Sequence, residues 1–245
     1  MTERLDALTI DARFCGPPRS GNGGYVCGRV AAALGDRGGA VRVRLKAPPP
    51  IGVELRMETT GEGARLLDGE QLIAEASRTH LELPVPSAAT LEEAERASRR
   101  YLGFEEHNFP TCFVCGPERR AGDGLRIFPG ALDREPGVLA AIWTPDASLA
   151  DATGQVRSEF LWAALDCPGA FTRYPLTSGV ALVLGELSVS QSRPLEVGAA
   201  CSLIAWSLGD EGRRRHAGTA LHRADGALVA FARAVWVEVP AQAWS

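Results

Sequence analysis

"LVAFARAVWVEVP", residues 228–240, alternates apolar and polar side chains, and the same pattern stands in "LIAEASRTHLELP", residues 72–84. Alternation with a period of two reads as a long strand that buries one face. Each stretch follows an Asp-Gly pair, Asp68-Gly69 or Asp225-Gly226, and ends in Leu/Val-Pro. Asp-Gly between alternating runs is a strong signal for a tight hairpin turn, so each copy is the return strand of a hairpin. Upstream, "VRVRLKAPPPIGVELRM" (41–57) lies over "LSVSQSRPLEVGAACSL" (187–203): an alternating strand, a proline-bearing bend, a Val/Ile-Gly pair and a second strand. Further upstream each copy has one helix-like segment, "GGYVCGRVAAALGDRGG" (23–39) and "SEFLWAALDCPGAF" (158–171). The order of one helix followed by three or more antiparallel strands therefore occurs twice.

An apolar helix rich in Gly and Ala next to an antiparallel meander predicts a sheet curled around the helix, an α+β fold. Gly28, Ala31, Ala32, Ala163 and Ala164 would let strands approach the helices closely. Two such repeats can pair edge to edge and so limit open strand edges. The expected organisation is an N-terminal repeat over 1–86, a linker helix and loop over 87–111, and a C-terminal repeat over 112–245. In the linker, Thr90 with Glu93 three residues on is a capping box that opens a charged helix.

Composition removes several classes of function. With 45% hydrophobic and 23% charged residues, a chain of 245 residues is an ordinary soluble protein with room for a substantial core. A formal net charge of -4 with dispersed basic residues lacks the electrostatic footprint of a nucleic-acid binder. The start, "MTERLDALTIDAR", is polar, and no window approaches the roughly 20 apolar residues of a spanning helix; a cytoplasmic protein without a membrane partner is expected. Six cysteines are too few for a disulfide scaffold. Cys27, Cys167 and Cys201 sit inside apolar patterns, where reduced Cys acts as a small hydrophobe.

The repeat order, "GGYVCGRVAAAL" opening the first helix and "LWAALD" in the second together resemble the acyl-CoA thioesterase II-like double-hotdog proteins. The resemblance spans roughly residues 10–84 and 125–240. It implies a tandem double hotdog, each repeat an antiparallel sheet curled around a central helix, that hydrolyses acyl-CoA or a related thioester. It also implies that Asp166 is catalytic and that Gly23 and Gly24 match the Gly-Gly before the first helix. The pattern departs from the family at two places: where the Thr and Gln that support the aspartate would fall, near Leu184 and Ala234, the residues are apolar. Ser188, Ser190, Gln191 and Ser192 are near enough in sequence to supply a substitute.

Asp166 has two readings. In a helix running from Ser158 through Asp166, the carboxylate would sit near the C-terminus, where the macrodipole and burial both disfavour its charge, a position that suits a catalytic base or nucleophile. Alternatively, Asp166 ends one helix and caps a second, with Pro168 in its first turn. In the catalytic reading, backbone N–H groups at Gly23 and Gly24 form the oxyanion hole, with Asn22 as the helix cap; otherwise the glycines merely turn the chain into the helix. Asn22, Tyr25, Ser190 and Gln191 are the candidate substrate-binding residues, although an aromatic at Tyr25 fits a core equally. Glu159 reads as a second acid or as a solvated first-turn glutamate. Arg157, Arg173, Arg193 and "RRRH" (213–216) are candidates for CoA phosphates, the last fitting a solvated turn better.

"HNFPTCFVCGPERRAGDGLRIF" (107–128) stands outside the resemblance. Cys112 and Cys115 have the spacing of half a zinc knuckle with His107 nearby, but a complete site wants a second close pair, which the chain lacks. A tight turn through Gly116, Pro117, Gly122 and Gly124, leading into the first strand of the second repeat, is expected, with no metal and no cofactor. Three classes follow: an acyl-CoA thioesterase, a non-catalytic acyl-CoA or apolar-ligand binder with a degenerate site, and, last, a hydratase, for which the paired His is missing. Hotdog sheets commonly pair further, so a homo-oligomer is expected.

Overall fold

The computed structural model describes residues 4–35, 38–61 and 63–244, and their strands join in one antiparallel sheet. The first repeat contributes β1 (Arg4–Thr9), α1 (Gly23–Ala32), β2 (Ala40–Leu45), β3 (Glu54–Thr59), β4 (Gly63–Asp68) and β5 (Gln71–Thr79). After the linker helix α2 (Leu91–Ser98) come β6 (Gly130–Ala131), β7 (Val138–Trp143), α3 (Ser158–Ala164), α4 (Cys167–Phe171), β8 (Val180–Gln191), β9 (Cys201–Glu211), β10 (Arg214–Arg223) and β11 (Leu228–Pro240). The strand order is β1-β3-β4-β5-β2-β8-β11-β10-β9-β7-β6. Apart from the short β6, the two halves mirror each other, so β1 to β5 correspond to β7 to β11.

The halves join where β2 pairs with β8, from Val41↔Val189 to Arg44↔Glu186. The seam is antiparallel and converts two exposed edges into ladder, as edge protection demands. Arg44 Nε lies 2.6 Å from Glu186 Oε2 across it. The Asp-Gly hairpins form at both predicted places, with Gly69 at φ 55° and Gly226 at φ 82°, the left-handed region that glycine enters without a Cβ penalty.

Three features differ from the expectation. The first repeat opens with a strand ahead of its helix, β1, which the hairpin comparison does not reach, whereas the second has the expected strand there, as β6 and β7. The predicted helix through Asp166 is two helices: α3 ends at Ala164, and Asp166 at φ -81°, ψ -83° breaks the run before α4. The small residues of α1 admit the other helix rather than a strand. A Cβ on Gly28 would stand 2.6 Å from Glu159 Cα, and one on Gly24 would stand 2.8 Å from the Trp162 carbonyl oxygen. These glycines, one turn apart, let the backbones of α1 and α3 touch.

The main core lies inside the curled sheet around α1 and α3, and it takes in Phe113, Val114, Leu125 and Ile127 from the segment before β6. Helix α2 sits outside the second half-sheet. Its Ala94 and Ala97 are fully buried against a group that includes Ala140, Ile204 and Trp206. The capping box forms: Glu93 N–H donates to Thr90 Oγ1 at 3.2 Å and Thr90 N–H to Glu93 Oε2 at 2.9 Å. No helix among the described residues is long and apolar enough to cross a membrane.

Candidate active site at the crossing of the two helices

Asn22 starts α1 by accepting the Tyr25 N–H on its Oδ1 at 2.9 Å, an N-cap that fixes the orientation of its amide. The close crossing at Gly24 then brings the end of α3 to the N-terminus of α1. Asp166, 1% exposed, makes no side-chain bond to the helix it precedes. Its Oδ2 instead accepts the Gly24 N–H at 2.8 Å and Asn22 Nδ2–H at 3.1 Å, both from the first repeat. Asp166 thus occupies the cap position of α4 in the chain, while its charge serves the positive end of α1. Its Oδ1 is buried without a hydrogen-bond partner. Burial pushes the carboxyl up to about 7 against the pull of the Gly24 amide; the nearby Cys112 pushes the same way and the Asn22 amide opposes.

This arrangement corrects the expected oxyanion pair. The Gly24 N–H is bound to Asp166, the Tyr25 N–H to Asn22, and the Asn22 N–H to the Phe14 carbonyl at 2.8 Å. Gly23 is left as the first-turn amide without an acceptor among the described residues. It lines a cavity of about 250 Å³ together with Asn22 and Asp166. The rest of the wall is mainly apolar, from Leu45, Phe171, Leu182 and Leu184 among others. Trp236 also faces this cavity, and its indole Nε1 is buried without a partner.

Other predicted residues lie elsewhere. Tyr25 stacks on Phe14 at 4.3 Å between centroids and packs near Phe113 and Phe160; it is core and does not line the cavity. Ser190 and Gln191 are also outside it. They sit at the far end of β8 from Leu184, and at ~3.3 Å per residue the strand carries them roughly 20 Å from the cavity wall, where Gln191 Oε1 accepts from Ser158 Oγ at 3.5 Å. Leu184 packs over Gly23, 2.8 Å from where its Cβ would be, and Ala234 is buried, so neither position supports Asp166 with a polar group. Glu159 is at the opposite end of α3, 3.7 Å from Arg157. Arg173 pairs with Asp210, and Arg215 with Glu238 at 2.7 Å.

The sequence reading missed a cysteine cluster. Cys112 and Cys115, from the segment before β6, meet Cys167, the first residue of α4, with all three sulphurs within 4.8 Å of one another. Cys112 Sγ and Cys167 Sγ are 3.7 Å apart. Asn22 Nδ2 reaches Cys167 Sγ at 3.7 Å and Cys112 Sγ at 3.9 Å, while His107 Nε2 lies 3.3 Å from Cys115 Sγ. Hydrogen bonds from the Cys115 and Cys167 thiols, joined by the Cys115 and Val114 amides, hold Cys112 well below its ordinary value. Burial pushes Cys115 up, and the bond to Cys112 pushes Cys167 up. All three, with His107, line the cavity beside Asp166.

No protein-family model and no curated protein matches the chain. Solved structures do. The tesB protein of Mycobacterium avium subsp. paratuberculosis superposes with a TM-score of 0.65 over 96% of this chain and 93% of its own, at 14% identity. A candidate thioesterase II from Thermobifida fusca gives 0.61 over 96% and 92%, also at 14% identity. A hot dog fold protein from Alicyclobacillus acidocaldarius gives 0.58 over 96% and 93% at 11%. The chain is a double hotdog. In this double hotdog the candidate site draws polar groups from both repeats and lies where their central helices cross.

Proposed function

We propose that this double hotdog hydrolyses acyl thioesters, of which acyl-CoA is the expected form. The observation that carries the reading is Asp166: a buried carboxylate with one oxygen fixed by the other repeat, the second oxygen unpartnered, at the wall of an apolar cavity. The Gly23 N–H, in the same wall, is the donor for the carbonyl oxygen as it gains charge. Asp166 acts as general base, drawing a proton from a water whose oxygen bonds the carbonyl carbon, or attacks that carbon itself to form an anhydride that water opens. Either route breaks the C–S bond, releases carboxylate and thiol, and returns Asp166 unchanged. The apolar lining accepts the acyl group, and Trp236 Nε1–H offers a second donor.

Leu184 and Ala234 favour a second reading, an acyl-ligand binder, because the aspartate lacks polar support from β8 and β11. One experiment separates the two. Thiol release by the purified protein is followed over short, medium, long and aromatic acyl-CoAs, beside Asp166→Asn. This replacement keeps size and shape, and its amide oxygen still accepts from Gly24 and Asn22. Release by the wild type that the variant loses, with ligand affinity kept, is the expected result. Tight acyl-CoA binding without release by either protein would establish the binder instead.

A further inference from the structure

We infer that Cys112, Cys115 and Cys167 bind one Zn²⁺ ion as thiolates, with the fourth coordination position turned toward the cavity beside Asp166. The inference rests on sulphur geometry and on the donors around it, and it holds whether or not the protein is a hydrolase. Tetrahedral zinc with Zn–S distances of ~2.3 Å sets its sulphurs about 3.8 Å apart. The Cys112 to Cys167 separation is 3.7 Å, and all three sulphurs lie within 4.8 Å. The ligands are therefore close to metal spacing before any ion is added.

The surroundings suit thiolates rather than thiols. Three neutral thiols in an apolar core need few hydrogen-bond donors, whereas thiolates shared with a metal are commonly supported by an outer ring of them. Asn22 Nδ2 spans Cys112 and Cys167, and His107 reaches Cys115. The turn is built for this. Gly116 N–H donates to the Cys112 carbonyl at 2.9 Å, and a Cβ on Gly116 would stand 2.5 Å from the carbonyl oxygens of Cys112 and Pro110. A glycine directly after the second cysteine lets the pair close on itself.

His107 is an outer partner, not the fourth ligand. Its Nδ1 accepts the Phe109 N–H at 2.9 Å, so in the neutral ring the proton is on Nε2, which points at Cys115 Sγ. A nitrogen that donates to a thiolate has no lone pair for the metal. All three cysteines line the cavity, so the remaining position is taken by water or a small anionic ligand from that side. Asn22 links the two centres, since the amide that spans Cys112 and Cys167 also donates to Asp166 Oδ2 at 3.1 Å.

The test uses the full chain, reduced and stripped of metal, titrated with Co²⁺ and separately with Zn²⁺. The expected result is a near-ultraviolet sulphur-to-cobalt charge-transfer band that saturates at one equivalent, and one Zn²⁺ per chain retained through gel filtration. Cys112→Ser and Cys167→Ser should lose the band. Cys201→Ser should keep it, because Cys201, also buried, donates to the Trp143 carbonyl away from the cluster; with circular dichroism it separates loss of metal from loss of fold. His107→Gln should keep one-to-one stoichiometry with affinity about 10–100-fold weaker, the usual effect of losing an outer partner. Absence of the band in wild-type protein whose six cysteines all titrate as free thiols would overturn the inference. So would a band that survives Cys167→Ser or disappears in His107→Gln. A Cys112–Cys167 disulfide found by peptide mapping, with no metal bound after reduction, would replace the site with a redox pair.

Discussion

Replacing Gly24 with Ala tests the crossing and the site together. The new Cβ would stand 2.5 Å from Asp166 Cβ, 2.8 Å from the Trp162 carbonyl oxygen and 3.0 Å from Ala163 Cα. Two of these three atoms are backbone, so α1 and α3 must move apart. Overpacking of this kind costs about 1–3 kcal/mol. Separation also breaks the 2.8 Å bond from Gly24 N–H to Asp166, and a hydrogen bond to a charged group contributes about 1.5–3 kcal/mol. Alanine returns up to about 1 kcal/mol through helix propensity. The net loss centres on about 3 kcal/mol, or roughly 6–12 °C in melting temperature for a chain of this size. A shift of Asp166 approaching 1 Å would lower thiol release by about 10²-fold. Differential scanning fluorimetry and the thiol assay measure both. Gly28→Ala meets Glu159 Cα at 2.6 Å but touches no hydrogen bond of Asp166, so it should lose stability with a smaller loss of rate. Wild-type melting and wild-type rate in Gly24→Ala would refute the argument that this glycine seats Asp166.

Three further variants probe other parts. Thr90→Ala removes one half of the capping box of α2 and should cost about 1 kcal/mol, read as a melting shift of roughly 2–4 °C; the rate should not change, since α2 lies outside the sheet. Trp236→Phe removes an indole N–H that has no protein partner, and kcat/KM should fall about tenfold, the value of one hydrogen bond to substrate; unchanged kinetics would take Trp236 out of substrate binding. His222 is 4% exposed, and burial holds it below its ordinary value. The unfolded chain therefore takes up this proton first: stability is whole above the unfolded value near ~6.5 and is lost as the pH falls from there toward the folded value. His222→Gln should flatten that acid branch in melts between pH 7 and 5, and an unchanged slope would assign the acid sensitivity to other groups.

The parts of the fold legible in the sequence are those whose signal is local. Period-two alternation and Asp-Gly turns give β11 and, as far as Thr79 though the expected strand runs on to Pro84, β5, because burial of one face and a left-handed turn each leave a mark within a few residues. The capping box of α2 is local in the same way. Strand β1 leaves no such mark: it is an edge strand whose described residues bury only Leu8. The break between α3 and α4 was open because Pro168 suits the first turn of a new helix as readily as it stops an old one. Asp166 stands where the cap of α4 would stand, but its carboxylate goes to α1 instead, a partner that no local pattern names. The sequence reading stopped at Cys112 and Cys115 because the third thiol lies 55 residues from the first, and only the packing of α4 against the segment before β6 joins them.

That distribution bears on function. A site assembled from Asn22 and Gly24 in one repeat, Asp166 and Cys167 in the other, and Cys112 between them exists only once α1 and α3 have crossed. Folding gains the Gly24 and Asn22 bonds to Asp166 Oδ2 from it, but other polar atoms of the same wall go unsatisfied. A buried carboxylate oxygen and a buried indole N–H without partners each cost stability, and both belong to residues that line the same cavity. Well-folded chains satisfy their buried polar groups and depart from the rule chiefly where a ligand or a reaction supplies the missing partner. Of the groups left unsatisfied among the described residues, Gln155, Arg173, His216 and His222 do not line this cavity. Asp166 and Trp236 share its wall with an unpaired glycine amide and three cysteines. The convergence of these costs on one wall is the strongest reason to place the chemistry there, and it makes Asp166 Oδ1 and the cysteine sulphurs the atoms to probe first.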